Sequence, residues 1–199
     1  MRLSYPAVLK HLADLMADAQ ATVRSAAATT IAYHGDEKGA HLLRLKLHHS
    51  DPEPEVITDT LKAYLSLDPA EGLVFTKRLL RGNGAARQGA LSALGESRLK
   101  EALPLIVHFL NSTVDEDDIH VASLALGSLR TAEARAGLLE RVATGSTLSA
   151  TYALRGLTLF LGDSSVAEDA RAALDRNTGV RLKSLFERLF DADSSLGFN

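Results

Sequence analysis

Seven histidines are the side chains in this sequence whose type most invites chemistry. His41 and His48 stand seven positions apart, two turns of a helix, and so share a face; His34 and His49 lie near them. Zinc or iron would need such rings, with carboxylates, to converge on one point. The sequence has no pair of histidines three or four apart and no His-Glu-x-x-His, so these histidines are expected to be ordinary, partly exposed side chains. The acidic run Asp115, Glu116, Asp117, Asp118 lacks the alternating Asp loop and distal Glu of a calcium hand. Carboxylates in the first turn of a helix complement its dipole, and a structural role is expected for them. There is no cysteine, which excludes disulfides, a thiolate nucleophile, cysteine-held zinc and attachment of a chromophore through a thiol of this chain. Gly-x-Ser-x-Gly, a phosphate-binding loop and Gly-x-Gly-x-x-Gly are all missing, and Gly82-Asn83-Gly84 reads as a turn. No catalytic residue, metal or cofactor is therefore expected.

The elements that would position any site announce themselves by repetition. Residues 87–110 read as two short amphipathic helices joined by a polar turn, and weaker copies lie on both sides. Arg87 is followed by Ala90, Leu94 and Gly95, and the same spacing occurs at Arg24, Ala27, Ile31 and Ala32. It recurs at Ala122, Leu126 and Gly127, and more loosely at Leu61/Leu65 and Ala153/Leu157. The anchors at 27, 61, 90, 122 and 153 are 34, 29, 32 and 31 residues apart. Each precedes a second helix with an apolar doublet such as Leu42-Leu43, Leu79-Leu80, Leu105-Ile106 or Leu138-Leu139. Helix pairs repeated at this length predict an all-α solenoid. Arg24 and Arg87 are expected to form a ladder, each bridging an acidic side chain or carbonyl of the next unit.

Val23-Arg24 in VRSAAATTIA and Arg87 in RQGALSALG give the chain its family likeness. It resembles the HEAT-like repeats, in particular the short bacterial kind named after phycobilisome lyases, over roughly residues 18–176. The resemblance implies an α-solenoid of about five helix pairs at 18–49, 51–81, 84–111, 114–143 and 146–175, forming one domain over 1–199. Capping helices are expected at 4–16 and 178–190, followed by a frayed tail. Ser4, Asp51, Asp68, Thr113 and Ser165 are the expected helix caps, with Pro6, Pro52 and Pro69 in first turns. The fifth pair is expected to open on an extended helix, YALRGLTLFLG.

The same resemblance places second helices on the concave side. Basic residues gather there: Arg44, Lys46 and His48; Lys77, Arg78 and Arg81; Lys100 and His108. Acidic residues gather in turns and first helices, at Asp51, Glu53, Glu55, Asp59 and 115–118. A mildly basic groove inside an acidic rim is implied, and Arg44, Lys77, Arg81 and His108 are the residues expected to meet a partner. The function implied is a non-enzymatic scaffold that holds a protein partner, acidic where it meets the groove, as an adaptor, assembly factor or toxin-neutralising partner. Two alternatives come from HEAT-like relatives. A nucleic-acid binding or repair protein of the glycosylase type would need a strongly basic groove with tryptophans, whereas this chain has net charge −3 and no Trp. A bilin lyase or isomerase would draw on residues such as Tyr64, Tyr152, Asp59 and His108. The apolar stretch 102–110 carries Pro104 and His108 and is too short to span a bilayer, and the N-terminus is not a signal peptide. A soluble, cytoplasmic protein with no membrane partner is expected.

Overall fold

Alanine, leucine and well-placed caps make the described residues predominantly helical. The computed structural model describes residues 5–177 and 179–191, and among these it is all α, with no strand. The expected Ser4 cap, Thr178 and residues 192–199 lie outside the described residues. The chain divides into two compact units, Met1–Ser97 and Arg98–Asn199. The first holds α1 (Tyr5–Leu15), α2 (Ala21–His34), α3 (Glu37–His49), α4 (Pro54–Leu67), α5 (Pro69–Leu80) and α6 (Gly84–Glu96). The second holds α7 (Ala102–Ser112), α8 (Glu116–Leu129), α9 (Ala132–Thr144), α10 (Thr147–Leu157), α11 (Val166–Leu174) and α12 (Val180–Phe186). Among the described residues no helix is long and apolar enough to cross a membrane.

In the first unit α4 is the central element, packed on α2, α3, α5 and α6, while α1 packs on α2. In the second, α10 packs on α8, α9 and α12, and α7 packs on α8. Every spaced anchor is in a core: Ala27, Leu61, Ala90, Ala122 and Ala153 are all buried, as are Ile31, Leu65, Leu94, Leu126 and Leu157. Full burial of each large side chain is worth about 2 kcal/mol. The doublets bury Leu43, Ile106 and Leu138, whereas Leu79 and Leu80 are both only half-buried. Small residues allow helices to approach closely. Gly127 of α8 and Gly156 of α10 meet backbone to backbone, and a Cβ on Gly156 would come within 2.5 Å of the Ser123 carbonyl oxygen.

Caps follow the expected chemistry in part. Asp68 accepts from the Glu71 amide at 3.2 Å with Pro69 at the first helical position, and Asp36 accepts from Gly39 at 2.6 Å. Asp51, by contrast, does not cap α4: Glu53 holds that position and Pro54 begins the helix, while the Asp51 carboxylate accepts from the Glu53 amide at 3.1 Å and is engaged by two cations. Thr113 gives way to Asp115, whose carboxylate accepts from the Asp118 amide at 3.0 Å. Ser165 precedes α11 without capping it, since its hydroxyl donates to Asp163 and accepts from Arg135. The expected long helix of the fifth pair begins earlier, at Thr147 behind the Ser146 cap, and tightens into a 3-10 turn over Thr158–Phe160. The C-terminal helix ends as a π turn over Glu187–Asp191, with Phe186 and Phe190 stacked at 4.9 Å.

Gly127→Ala should destabilise the protein by about 2 kcal/mol, because the added methyl meets the Gly156 carbonyl rather than a side chain that can rotate away. Gly137→Ala, on α9 with nothing within 4 Å of its new Cβ, should stabilise by about 0.5 kcal/mol. Urea denaturation of the two variants beside wild type measures both.

Candidate functional site

The cations of this protein sort into those satisfied inside the fold and those left facing solvent. Asp51 is the main internal partner. It lies between α3 and α4, buried, and its two oxygens accept from Nε and Nη2 of Arg24 at 2.8 Å each. Lys46 of α3 reaches the same carboxylate at 2.7 Å. Arg24 also donates to the carbonyls of Asp18 and Ala19 at 3.0 Å, so its planar fork is nearly filled. Burial opposes ionisation of Asp51, but hydrogen bonds from Arg24, Lys46 and the Glu53 amide outweigh it together and hold the carboxyl at about 2. Arg24 therefore bridges to an acidic side chain of the next helix pair, as expected. Arg87 donates from Nε to the Gly82 carbonyl at 3.0 Å.

What remains exposed on the first unit is a basic face on α3 and α5. Arg44 and His48 lie one turn apart on α3. The His48 ring stands edge-on to Phe75 of α5 at 5.0 Å, and the Arg78 guanidinium lies 4.5 Å over the same ring. Phe75 in turn packs edge-to-face on Tyr64 of α4, whose phenol is pushed up by burial, with Asp68 adding to the shift and Arg44 opposing it. Lys77 and Arg81 lie one turn apart at the end of α5, both exposed. Among the described residues Arg44, Lys77 and Arg81 form no ion pair. The structure thus places three of the four expected partner-binding residues on this unit. The fourth, His108, is exposed on α7 of the second unit.

Several charges are not where the spacing put them. Lys46, expected in the groove, is half-buried on Asp51. Asp51 and Asp118, expected on an acidic rim, are buried. Asp59 sits 3.8 Å from Lys62, whose ammonium is bound at 2.5 Å by Glu96 of α6. In the second unit Arg135 of α9 joins Asp163, Asp169 and Ser165, tying α9 to α11. That clamp was not foreseen, because its four members are spread over 35 residues with no motif.

The bilin alternative draws on side chains of both units. Tyr64 and Asp59 are in the first unit and Tyr152 and His108 in the second. Tyr152 donates to Glu116 at 2.7 Å, and that carboxylate holds the phenol above its usual range; His120 stacks on its ring at 4.7 Å. Two cavities, one between α1 and α3 and one beside α7 and α8, are lined mainly by aliphatic and charged residues. Of the histidines, His41 donates from Nδ1 to the Glu37 carbonyl at 2.9 Å, and among the described residues no group of three His, Asp or Glu side chains could hold a metal ion. No protein-family model matches the chain, and a search of curated proteins gives no match.

Asp51→Asn should destabilise by about 3 kcal/mol, since it leaves two largely buried cations without a counter-charge. Thermal and urea unfolding give the value. The Asp51 carboxyl is lowered by folding from 3.8 to about 2, so its contribution is complete above pH 4 and is lost as pH falls towards 2. Stability measured over that window should fall by about 2 kcal/mol more in wild type than in Asp51→Asn.

Proposed function

We propose that this chain is a HEAT-like repeat scaffold that binds an acidic surface of a protein partner and catalyses no reaction. In this reading the helix pairs stack as an α-solenoid, and the second helices of the pairs line its binding side. Two packing features support the repeat assignment. The five anchors and their partners four residues on are all buried. In two successive pairs a glycine of the second helix, Gly39 or Gly72, lets the helix lie close against the large residue four positions after the anchor of the first, Ile31 or Leu65, where an added Cβ would come within 2.8 Å.

The observation that carries the binding proposal is the division of cations in the first unit. Arg24 and Lys46 are neutralised by a buried carboxylate, while Arg44, Lys77, Arg78 and Arg81 stay exposed on α3 and α5. The chain as a whole is acidic, at −3, so this face is a local arrangement and not a general surplus of base. Arginines over a fixed aromatic ring suit carboxylate-rich protein surfaces, since the guanidinium forks bind carboxylates two bonds at a time and the ring holds them in place. Complementary charge would steer encounter and choose between partners, more than it would add affinity. The four-residue set Arg44, Lys77, Arg81 and His108 remains the proposed contact, extended by Arg78.

Affinity capture from lysate tests the proposal, with wild type beside a variant carrying Arg44→Glu, Lys77→Glu, Arg81→Glu and His108→Ala, its helicity checked by circular dichroism. An acidic protein retained by wild type, released by moderate salt and lost by the variant is the expected result. A partner held equally by both would place binding elsewhere, and retention of nucleic acid in place of protein would support the repair-type alternative.

A further inference from the structure

The first helix leaves a seam open. α1 packs on α2, but between α1 and α3 lies a groove of about 450 Å³, lined by Leu9, Lys10, Ala13, Lys38, His41, Leu42 and Leu45. Its floor is aliphatic, and Leu45 is 54% exposed. Each wall contributes a cation: Lys10 from α1, Lys38 from α3, with His41 beside it. No carboxylate is among the described residues that line the groove, although Asp14 and Glu37 lie on the same helices. Neither lysine forms an ion pair among the described residues.

We propose that this groove docks one amphipathic helix of a partner protein, with an apolar stripe flanked by Asp and Glu. The apolar floor and the basic walls specify the two faces of that helix independently. Lys38 to Leu45 spans about 10 Å along α3, which matches apolar anchors at i, i+3 or i+4, and i+7 of an incoming helix. The groove is a different surface from the basic face on α3 and α5, because Arg44, Lys77 and Arg81 do not line it. The proposal therefore stands whether or not that face binds anything.

Fluorescence anisotropy with labelled synthetic helices tests it. The probes are a short peptide with a leucine stripe flanked by glutamates, the same peptide with lysines for the glutamates, and a scrambled glutamate-leucine peptide. Wild type should bind the acidic amphipathic peptide saturably, one per chain, at least about tenfold more tightly than either control. Leu45→Asp, at an exposed position that leaves folding intact, should weaken binding by about tenfold or more. Lys10→Glu with Lys38→Glu should reverse the preference towards the lysine peptide, which a merely structural change would not do. The Arg44, Lys77 and Arg81 variant should bind as wild type. No saturable binding, no preference over the scrambled peptide, or binding that survives Leu45→Asp would each overturn the proposal. So would a dimer dissociated by Leu45→Asp in sedimentation, or binding to phosphatidylserine vesicles in place of the acidic peptide.

Discussion

The first unit depends on one buried carboxylate. Asp51 occupies the bend between α3 and α4, and its two oxygens hold Arg24 of α2 and Lys46 of α3 at hydrogen-bond distance. Removing a carboxylate and two cations from water is costly, and only their close mutual geometry offsets that cost. The bidentate fork of Arg24 supplies this geometry, and the Asp18 and Ala19 carbonyls take its remaining donors. Three helices are thereby held in one relative orientation, around which Ile31, Leu43, Val56 and Leu61 pack without exposure.

The second unit reaches close packing by other means. A close contact between α8 and α10 joins backbone to backbone through Gly127 and Gly156, so that shape rather than charge sets the distance. Its principal ionic contact, Arg135 with Asp163 and Asp169, is more open to solvent than Asp51, with both carboxylates about half exposed. Exposed pairs of this kind add little stability, and the arrangement serves more to orient α11 on α9. Asn177 makes a similar tie, donating to the Val142 and Gly145 carbonyls at the end of α9.

The satisfaction of charge inside the fold gives the surface its meaning. Once Arg24, Lys46 and Lys62 are paired, the exposed cations of the first unit are concentrated on α3 and α5 and along the α1–α3 groove. The two surfaces differ in character. The α3–α5 face is charge set around the buried ring of Phe75, whereas the groove is an aliphatic recess with charge on its walls. In the proposed function the first would read carboxylates and the second an apolar stripe, so one unit would engage a partner by two independent chemistries.

Helical content, the approximate positions of the helices and the identity of the core anchors were legible in the residues themselves. A small residue followed four positions later by a large apolar one defines a helix face, and that information is local, carried within one or two turns. The cap at Asp68 was legible for the same reason, because its partner is three residues away. The matching Asp-Pro at 51 was misleading, since the Asp51 carboxylate accepts from the Glu53 amide before the helix begins and also holds two cations, of which Arg24 is 27 residues distant. The exposed state of Arg44, Lys77, Arg81 and His108 could be expected from helix periodicity, but the withdrawal of Lys46 and the placement of Arg78 on Phe75 could not. The α1–α3 groove was equally invisible, because its walls come from separate helices whose spacing is set by packing on α2. Sequence by itself determined where this chain is helical and which faces are apolar, through interactions within a few residues. Tertiary structure alone decided which charges are neutralised and which remain exposed, because ion pairing depends on distances between helices that no local pattern encodes.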